Sequence, residues 1–489
     1  MKQSIITLLF FALTAYLPGQ ATVLTSAQVV ADVDVFITAL KEAHPGLLLY
    51  LEPQELDSLF ADLRAEGTSE GEELRSFYRS LLKVLAAIGD GHTGLYENKL
   101  FQETYAYHEN ELPFDVAIID GTAFVSSWCG DALAIPMHAE LLSINGEPAE
   151  RILHEMFSLT SSDGNRTAFK AAYTEKIFSR RYAKLFGTAT DYQVKVKTRT
   201  GKEETYTVTG VHDSLLQNNR TEAIPLNFSL HPEANYAVLT VNTFQYREMR
   251  KAGLDYHEFL KDSFKKLKQR KVDNLIIDLR ENYGGDNILA VALYSYLTEG
   301  NFTAMAPSLT KLSGVLSVST HSSFPAGNYP FLRTHKVTPL ANDYFELRDG
   351  IDSQEGYDSN FIYAGPGNKP TNIGKNKFDG KVYCLTSPLS FSAAANFASF
   401  LQRDNRATFI GEETGGARGA YCGGGFYTVT LPHSQIKLQI PFMRRSVSGI
   451  DLDDKGRGVI PDYPVKRTIQ DFMIGNDRSI EKALELIGE

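Results

Sequence analysis

Residues 381–413 read KVYCLTSPLSFSAAANFASFLQRDNRATFIGEE, and this stretch decides the fold. KVYCLTS is a short apolar run of the kind that fills a strand buried on both faces. Pro388 and Ser390 interrupt it, and a helix is predicted from about Ser392, carrying Ala393, Ala394, Ala395, Phe397, Ala398 and Phe400. ATFIGEE then supplies another apolar strand. The same alternation runs upstream, through YAVLTVNTF, a helix to Lys268, VDNLIIDLR and a helix from Asn287. Apolar strands followed by helices define an α/β layer.

The chemistry of this stretch rests on its serines. A serine at the first turn of a helix lies beside unpaired backbone N–H groups, which can stabilise an anion formed next to it. Ser390 and Ser392 both fit that description, and both also fit a simple helix cap. NLIIDLRENYGGDN repeats the geometry, with Gly284-Gly285 between a strand end and a helix. Glycine there lets backbone N–H groups face a ligand, and it equally suits a tight turn.

Toward the N-terminus the pattern is helical. Ser26 is expected to cap a helix with Val29, Val30, Val33, Phe36, Ile37 and Leu40 on its apolar side; further helices are predicted near Pro53–Glu66 and Gly71–Ile88. AIGDGHTGLY follows, a Gly-Asp-Gly turn that carries His92 to the surface of the bundle. From about Leu112 short strands alternate with a helical interlude, and DYQVKVKTRTGKEETYTVTG reads as a hairpin around Thr200-Gly201. Leu309–Gly380 is long, irregular and weakly periodic, as a cover or rim would be.

At 489 residues the chain exceeds one ordinary core, so two or three domains are expected. Hydrophobic residues make up 43% and charged ones 22%, which places the chain among globular proteins rather than disordered ones. The net charge of -10, with no dominant basic cluster, argues against nucleic acid and favours a neutral or peptide-like partner. The His-Glu pairs at His108, His154 and His257 are not followed by a second histidine at metalloprotease spacing, and Cys-x-x-Cys is absent, so neither metal nor cofactor is expected. MKQSIITLLFFALTAYLPGQA has the layout of a secretory signal, with cleavage expected after Ala21, export, and no integral membrane span afterwards. Three cysteines, Cys129, Cys384 and Cys422, allow at most one internal disulfide, with buried thiols the alternative.

In order, these pieces resemble the tail-specific or C-terminal processing serine peptidases and their tricorn-core relatives. KEAHPGLLLY with AIGDGHTGLY is similar to the family's N-terminal helical region, and AELLSINGEPAERIL to half of its PDZ-like module. LIIDLRENYGG is similar to its strand-and-glycine signature, and SFSAAANFASFLQRDNRATFIGEETGGA to its nucleophile helix followed by Gly-Glu-x-Thr-x-Gly. The resemblance implies a ClpP/crotonase-like α/β protease core at 225–489, an N-terminal helical domain at 25–105, a PDZ-like domain at 111–212 and a signal peptide at 1–21. It implies an exported serine peptidase acting on peptides or proteins, with Ser392 as nucleophile.

One departure from the family pattern bears on mechanism. Where one branch carries a general-base lysine, this chain has Ala417, and Arg418 cannot substitute because guanidinium does not give up its proton. The tricorn-like branch takes its base from a histidine matching His92, whose imidazole suits proton relay near neutral pH. An acid ahead of Gly-x-x-Pro-Asp then falls among Asp451, Asp453 and Asp454, with Asp454 and Asp453 nearest the matching position. The Gly285 and Ala393 N–H groups are the expected oxyanion hole. A catalytically inactive member that binds peptides or apolar ligands is the alternative, and the missing lysine fits it.

Overall fold

The computed structural model describes residues 23–66, 72–97, 99–105, 108–219, 224–299, 302–306, 308–311, 345–347, 361–366, 376–441, 443–450 and 456–488. The expected signal peptide lies outside them. At its centre is a six-stranded sheet in the order 226–231, 236–241, 274–278, 381–386, 408–411, 463–464. The first pair is antiparallel and the others are parallel. Parallel strands joined by helices must be covered on both faces, and the sequence complies: Leu275, Ile276 and Ile277 are all fully buried. Helices Asn287–Ser295 and Ala393–Arg403 leave the ends of successive parallel strands. Every residue from Ala393 to Leu401 is buried, so Ala393–Ala395 allow the close packing that a helix enclosed on all sides requires.

The N-terminal helices span Ser26–Ala43, Pro53–Glu66 and Leu74–Ile88. The first is capped by Thr25 rather than by Ser26. Thr25 accepts from the Gln28 N–H and the Gln28 side chain accepts from the Thr25 N–H, a reciprocal box that satisfies two otherwise unpaired donors. The third helix ends at Gly89, whose φ of 76° closes it in the left-handed conformation.

Residues 114–209 form a six-stranded antiparallel sheet, five strands in chain order with the short Glu147–Pro148 paired beside Glu140–Ile144, covered by helices Ala149–Ser158 and Thr167–Phe186. The predicted hairpin pairs Asp191–Lys197 with Glu203–Thr209 in register. The N-terminal helices, this sheet and the hairpin Phe426–Pro441 share one apolar core. Strand Gly94–Tyr96, immediately after His92, pairs antiparallel with Lys437–Gln439. The buried Asp32 ties the hairpin tip to the first helix by accepting the His433 and Ser434 N–H groups at 2.8 and 2.7 Å.

Within the stretch read as irregular, Ser308–Lys311, Phe345–Leu347 and Phe361–Pro366 are strands of another sheet, completed by Arg444–Ser446 and Ala420–Cys422. Cys129, Cys384 and Cys422 are buried free thiols. None of the described helices is long and apolar enough to cross a membrane.

Candidate active site

Ser392 and His92, 300 residues apart in sequence, meet at the C-terminal ends of the parallel strands, with His92 Nε2 3.0 Å from Ser392 Oγ. Ser392 has φ 53° and ψ −120°, a conformation that an L-residue adopts at a cost of about 1–3 kcal/mol. A strand-to-helix turn of this kind lifts a side chain away from the backbone. Although Ser392 occupies the N-cap position, its hydroxyl makes no capping bond to the helix.

Ser390 holds the turn together instead. It is fully buried, its Oγ donates to the Leu279 carbonyl at 2.8 Å and accepts the Ser387 N–H at 3.1 Å. Replacing Ser390 by alanine leaves the part-buried Ser387 N–H without its acceptor and takes one of two donors from the Leu279 carbonyl, which keeps the Asn282 N–H. Urea unfolding is expected to report a loss of about 1–2 kcal/mol; an unchanged midpoint would contradict this role.

Glycines make the turn around Ser392 possible. A Cβ on Gly284 would lie 2.7 Å from the Phe391 carbonyl oxygen and from Ser392 Cβ, and 2.9 Å from Ala393 N. Gly284 and Ala393 are therefore in contact, and the Gly285 and Ala393 N–H groups donate no hydrogen bond among the described residues. Asn282 fixes this loop: its Nδ2 donates to the Val241 carbonyl, its Oδ1 accepts the Gly284 N–H, and its carbonyl accepts the Phe391 N–H.

The His92 ring lies stacked on Phe391 with centroids 4.7 Å apart, and Tyr421 flanks it at 5.4 Å. Gln439 donates to the His92 carbonyl at 3.3 Å. His92 Nδ1 is buried and has no hydrogen-bond partner among the described residues. The candidates for its orienting acid, Asp451, Asp453 and Asp454, lie outside the described residues.

Two buried carboxylates do approach this ring. Asp90, Asp163 and His92 present oxygen and nitrogen atoms within 4.8 Å of one another, and His44, Asp90 and Cys422 form an adjoining group of the same compactness. Both are potential ion-binding clusters by composition, and internal hydrogen bonds already engage them. Asp90 accepts from Thr93 and from the His92 N–H, and lies 2.9 Å from His44 Nε2. Burial opposes ionisation of Asp90, but the His44 hydrogen bond and the charges of His44 and His92 outweigh it and hold its carboxyl below the ordinary range.

The sequence reading missed Asn282 and Asp163. Asn282 lies inside a motif already singled out, where a buried amide between a strand end and paired glycines was the available signal. Asp163 sits in SSDGNR, which reads only as a turn, and no local signal marks it.

A serine on a sharp strand-to-helix turn, an imidazole in hydrogen-bond reach and unpaired N–H groups beside it are the components of a serine hydrolase. Residues 235–465 match the model of Peptidase family S41. This match, just under half of the chain, marks residues 235–465 as a serine-type peptidase domain of that family. Among solved structures, mature CPAF complexed with lactacystin is 17% identical, with 94% of this chain and 98% of that one covered and a TM-score of 0.64. A CPAF mutant is 15% identical over 95% and 98% of the two chains, with a TM-score of 0.66. The likeness extends the common fold over nearly the whole chain. No curated protein matches it.

Proposed function

We propose that this chain is an exported peptidase that cleaves peptide bonds through an acyl-enzyme, with Ser392 as nucleophile and His92 as general base. The observation that carries the reading is the 3.0 Å approach of His92 Nε2 to a serine oxygen that serves no capping role. As Ser392 Oγ bonds to the substrate carbonyl carbon, its proton passes to His92 Nε2, and the oxyanion accepts from the Gly285 and Ala393 N–H groups. Collapse breaks the C–N bond, and His92 returns the proton to the departing amine. Water, deprotonated by His92, then hydrolyses the ester and regenerates Ser392. Asp453 or Asp454 is assigned as the acid that orients the imidazole, on the family pattern.

The antiparallel sheet at 114–209 is assigned as the PDZ-like module within 111–212, between the helical domain at 25–105 and the core at 225–489. Strand addition of an extended peptide is the recognition mode such a module supports. Export rests on the charged, apolar and small-residue order of the first 21 residues.

Labelling with a fluorophosphonate probe, mapped by mass spectrometry, tests the catalytic assignment. Ser392 is expected to be labelled in the native protein, and His92→Ala is expected to slow labelling by about a hundredfold. Absence of label in the native protein would instead favour the ligand-binding alternative, and label on another serine would move the nucleophile away from Ser392.

A further inference from the structure

Asp163 lies between helices Ala149–Ser158 and Thr167–Phe186, outside the segment matched by the family, yet its carboxylate reaches the centre of the site. It is 1% exposed. One oxygen accepts the Gly91 N–H at 3.0 Å, adjacent to His92; the other accepts the Ala417 N–H at 3.0 Å, in the loop following the Gly-Glu-x-Thr-x-Gly run. The Gly164 N–H donates to the Gly89 carbonyl at 2.8 Å, so two consecutive residues hold the His92 turn from the same side. A Cβ on Gly91 would meet the Phe391 ring at 2.7 Å and Asp163 Oδ1 at 3.1 Å, which leaves this turn little room to move.

We propose that Asp163 is a positioning residue for the hydrolytic reaction: it clamps the His92 turn to the Ala417 loop, and its negative charge stabilises the imidazolium formed when His92 takes the Ser392 proton. This rests on the Ser392–His92 reading above. His92 Nδ1 is buried with no hydrogen-bond partner among the described residues and is flanked by the rings of Phe391 and Tyr421, so the charge of Asp163 acts on the imidazolium alongside that of the orienting acid assigned above. Among the described residues Asp90 is the other nearby anion, but it is shared with His44 and Thr93. Asp163 accepts only two backbone N–H groups among the described residues. Burial, reinforced by Asp90, holds its carboxyl above the ordinary carboxylate range, and His92 is the leading influence that opposes this. Charge on the ring and charge on the carboxylate therefore favour one another. Among the described residues, the other titratable groups that face this pair are Tyr50, Arg166, Tyr421, Cys422 and His44, which are retained in the variants below.

The test uses the full chain and the rate of fluorophosphonate labelling as a function of pH. Asp163→Asn removes the charge at nearly constant volume. Its labelling rate at neutral pH is expected to fall about tenfold, and the ascending limb of the pH profile to move about one unit lower, because a base without a nearby anion holds its proton less tightly. Asp163→Glu, which restores the charge, is expected to return the limb toward its native position. If Asp163→Asn does not fold, Asp163→Ser retains one acceptor and carries the same readout. A slower rate with an unmoved limb would reduce Asp163 to a packing role, and an unchanged rate would remove it from the reaction. Failure of the underlying reading is separable: the native protein would then show no label at Ser392, or a labelling rate indifferent to His92→Ala.

Discussion

Ser392→Ala is expected to lower the turnover of a peptide substrate on the order of 10^5-fold while leaving the melting temperature unchanged. The size follows from chemistry: without the hydroxyl no acyl-enzyme forms, and only the oxyanion site and binding remain to accelerate attack by water. The neutrality for stability follows from geometry. Ser392 Oγ caps no helix, and its hydrogen bond is to His92, which is itself half-buried. Steady-state hydrolysis of a quenched fluorescent peptide, alongside calorimetry, separates the two effects. Substantial residual turnover would remove Ser392 from the mechanism. Retained peptide affinity without turnover in the native protein would indicate a binding protein on the peptidase scaffold.

The neighbouring serine has the opposite character. Ser390 is expected to matter for folding, because its buried hydroxyl makes two hydrogen bonds that hold the turn, while Ser392 matters for chemistry because its hydroxyl is left out of the local network. Periodicity alone cannot separate residues two apart at a helix start. The separation comes from the positive φ of Ser392, which turns its side chain away from the cap site and toward an imidazole supplied by another part of the chain.

What was legible in the sequence was local. Lys381–Thr386 and Asn274–Asp278 announced themselves as buried strands, and Ala393–Arg403 as the helix packed against them. The turn carrying His92 was readable from its glycines. The pairing of Gly94–Tyr96 with Lys437–Gln439 was not, because cross-strand partners hundreds of residues apart leave no local periodicity. That pairing makes the His92 turn continuous with a C-terminal hairpin, so its position relative to Ser392 is set by sheet register as well as by helix packing. Asp163 was hidden for the same reason. Its partners Gly91 and Ala417 lie 72 and 254 residues away, and a buried acceptor for two N–H groups looks in sequence like an aspartate in a polar turn. Thr25 and Gln28, by contrast, were a readable capping box, and choosing Ser26 passed over the acceptor at Gln28.

Gly284→Ala is expected to cost about a thousandfold in kcat/KM, because the methyl group would collide with the turn that shapes the site. Two separate penalties apply. At φ +94° any L side chain is strained, by about 1–3 kcal/mol. The Cβ also meets backbone at under 3.0 Å, at the Phe391 carbonyl oxygen and Ala393 N, so the nucleophile turn must shift to admit it. Displacement of Ala393 N moves one of the two donors proposed for the oxyanion, whose stabilisation depends on distances of roughly 2.7–3.1 Å. Gly253→Ala separates strain from collision: Gly253 has φ +66°, but nothing lies within 4 Å of the position its methyl group would take. The Gly253 variant is expected to lose about 1 kcal/mol of stability and no activity. Parallel measurement of unfolding and of kcat/KM in both variants decides the matter, and native-like turnover in Gly284→Ala would show that the glycine is there for the chain turn alone.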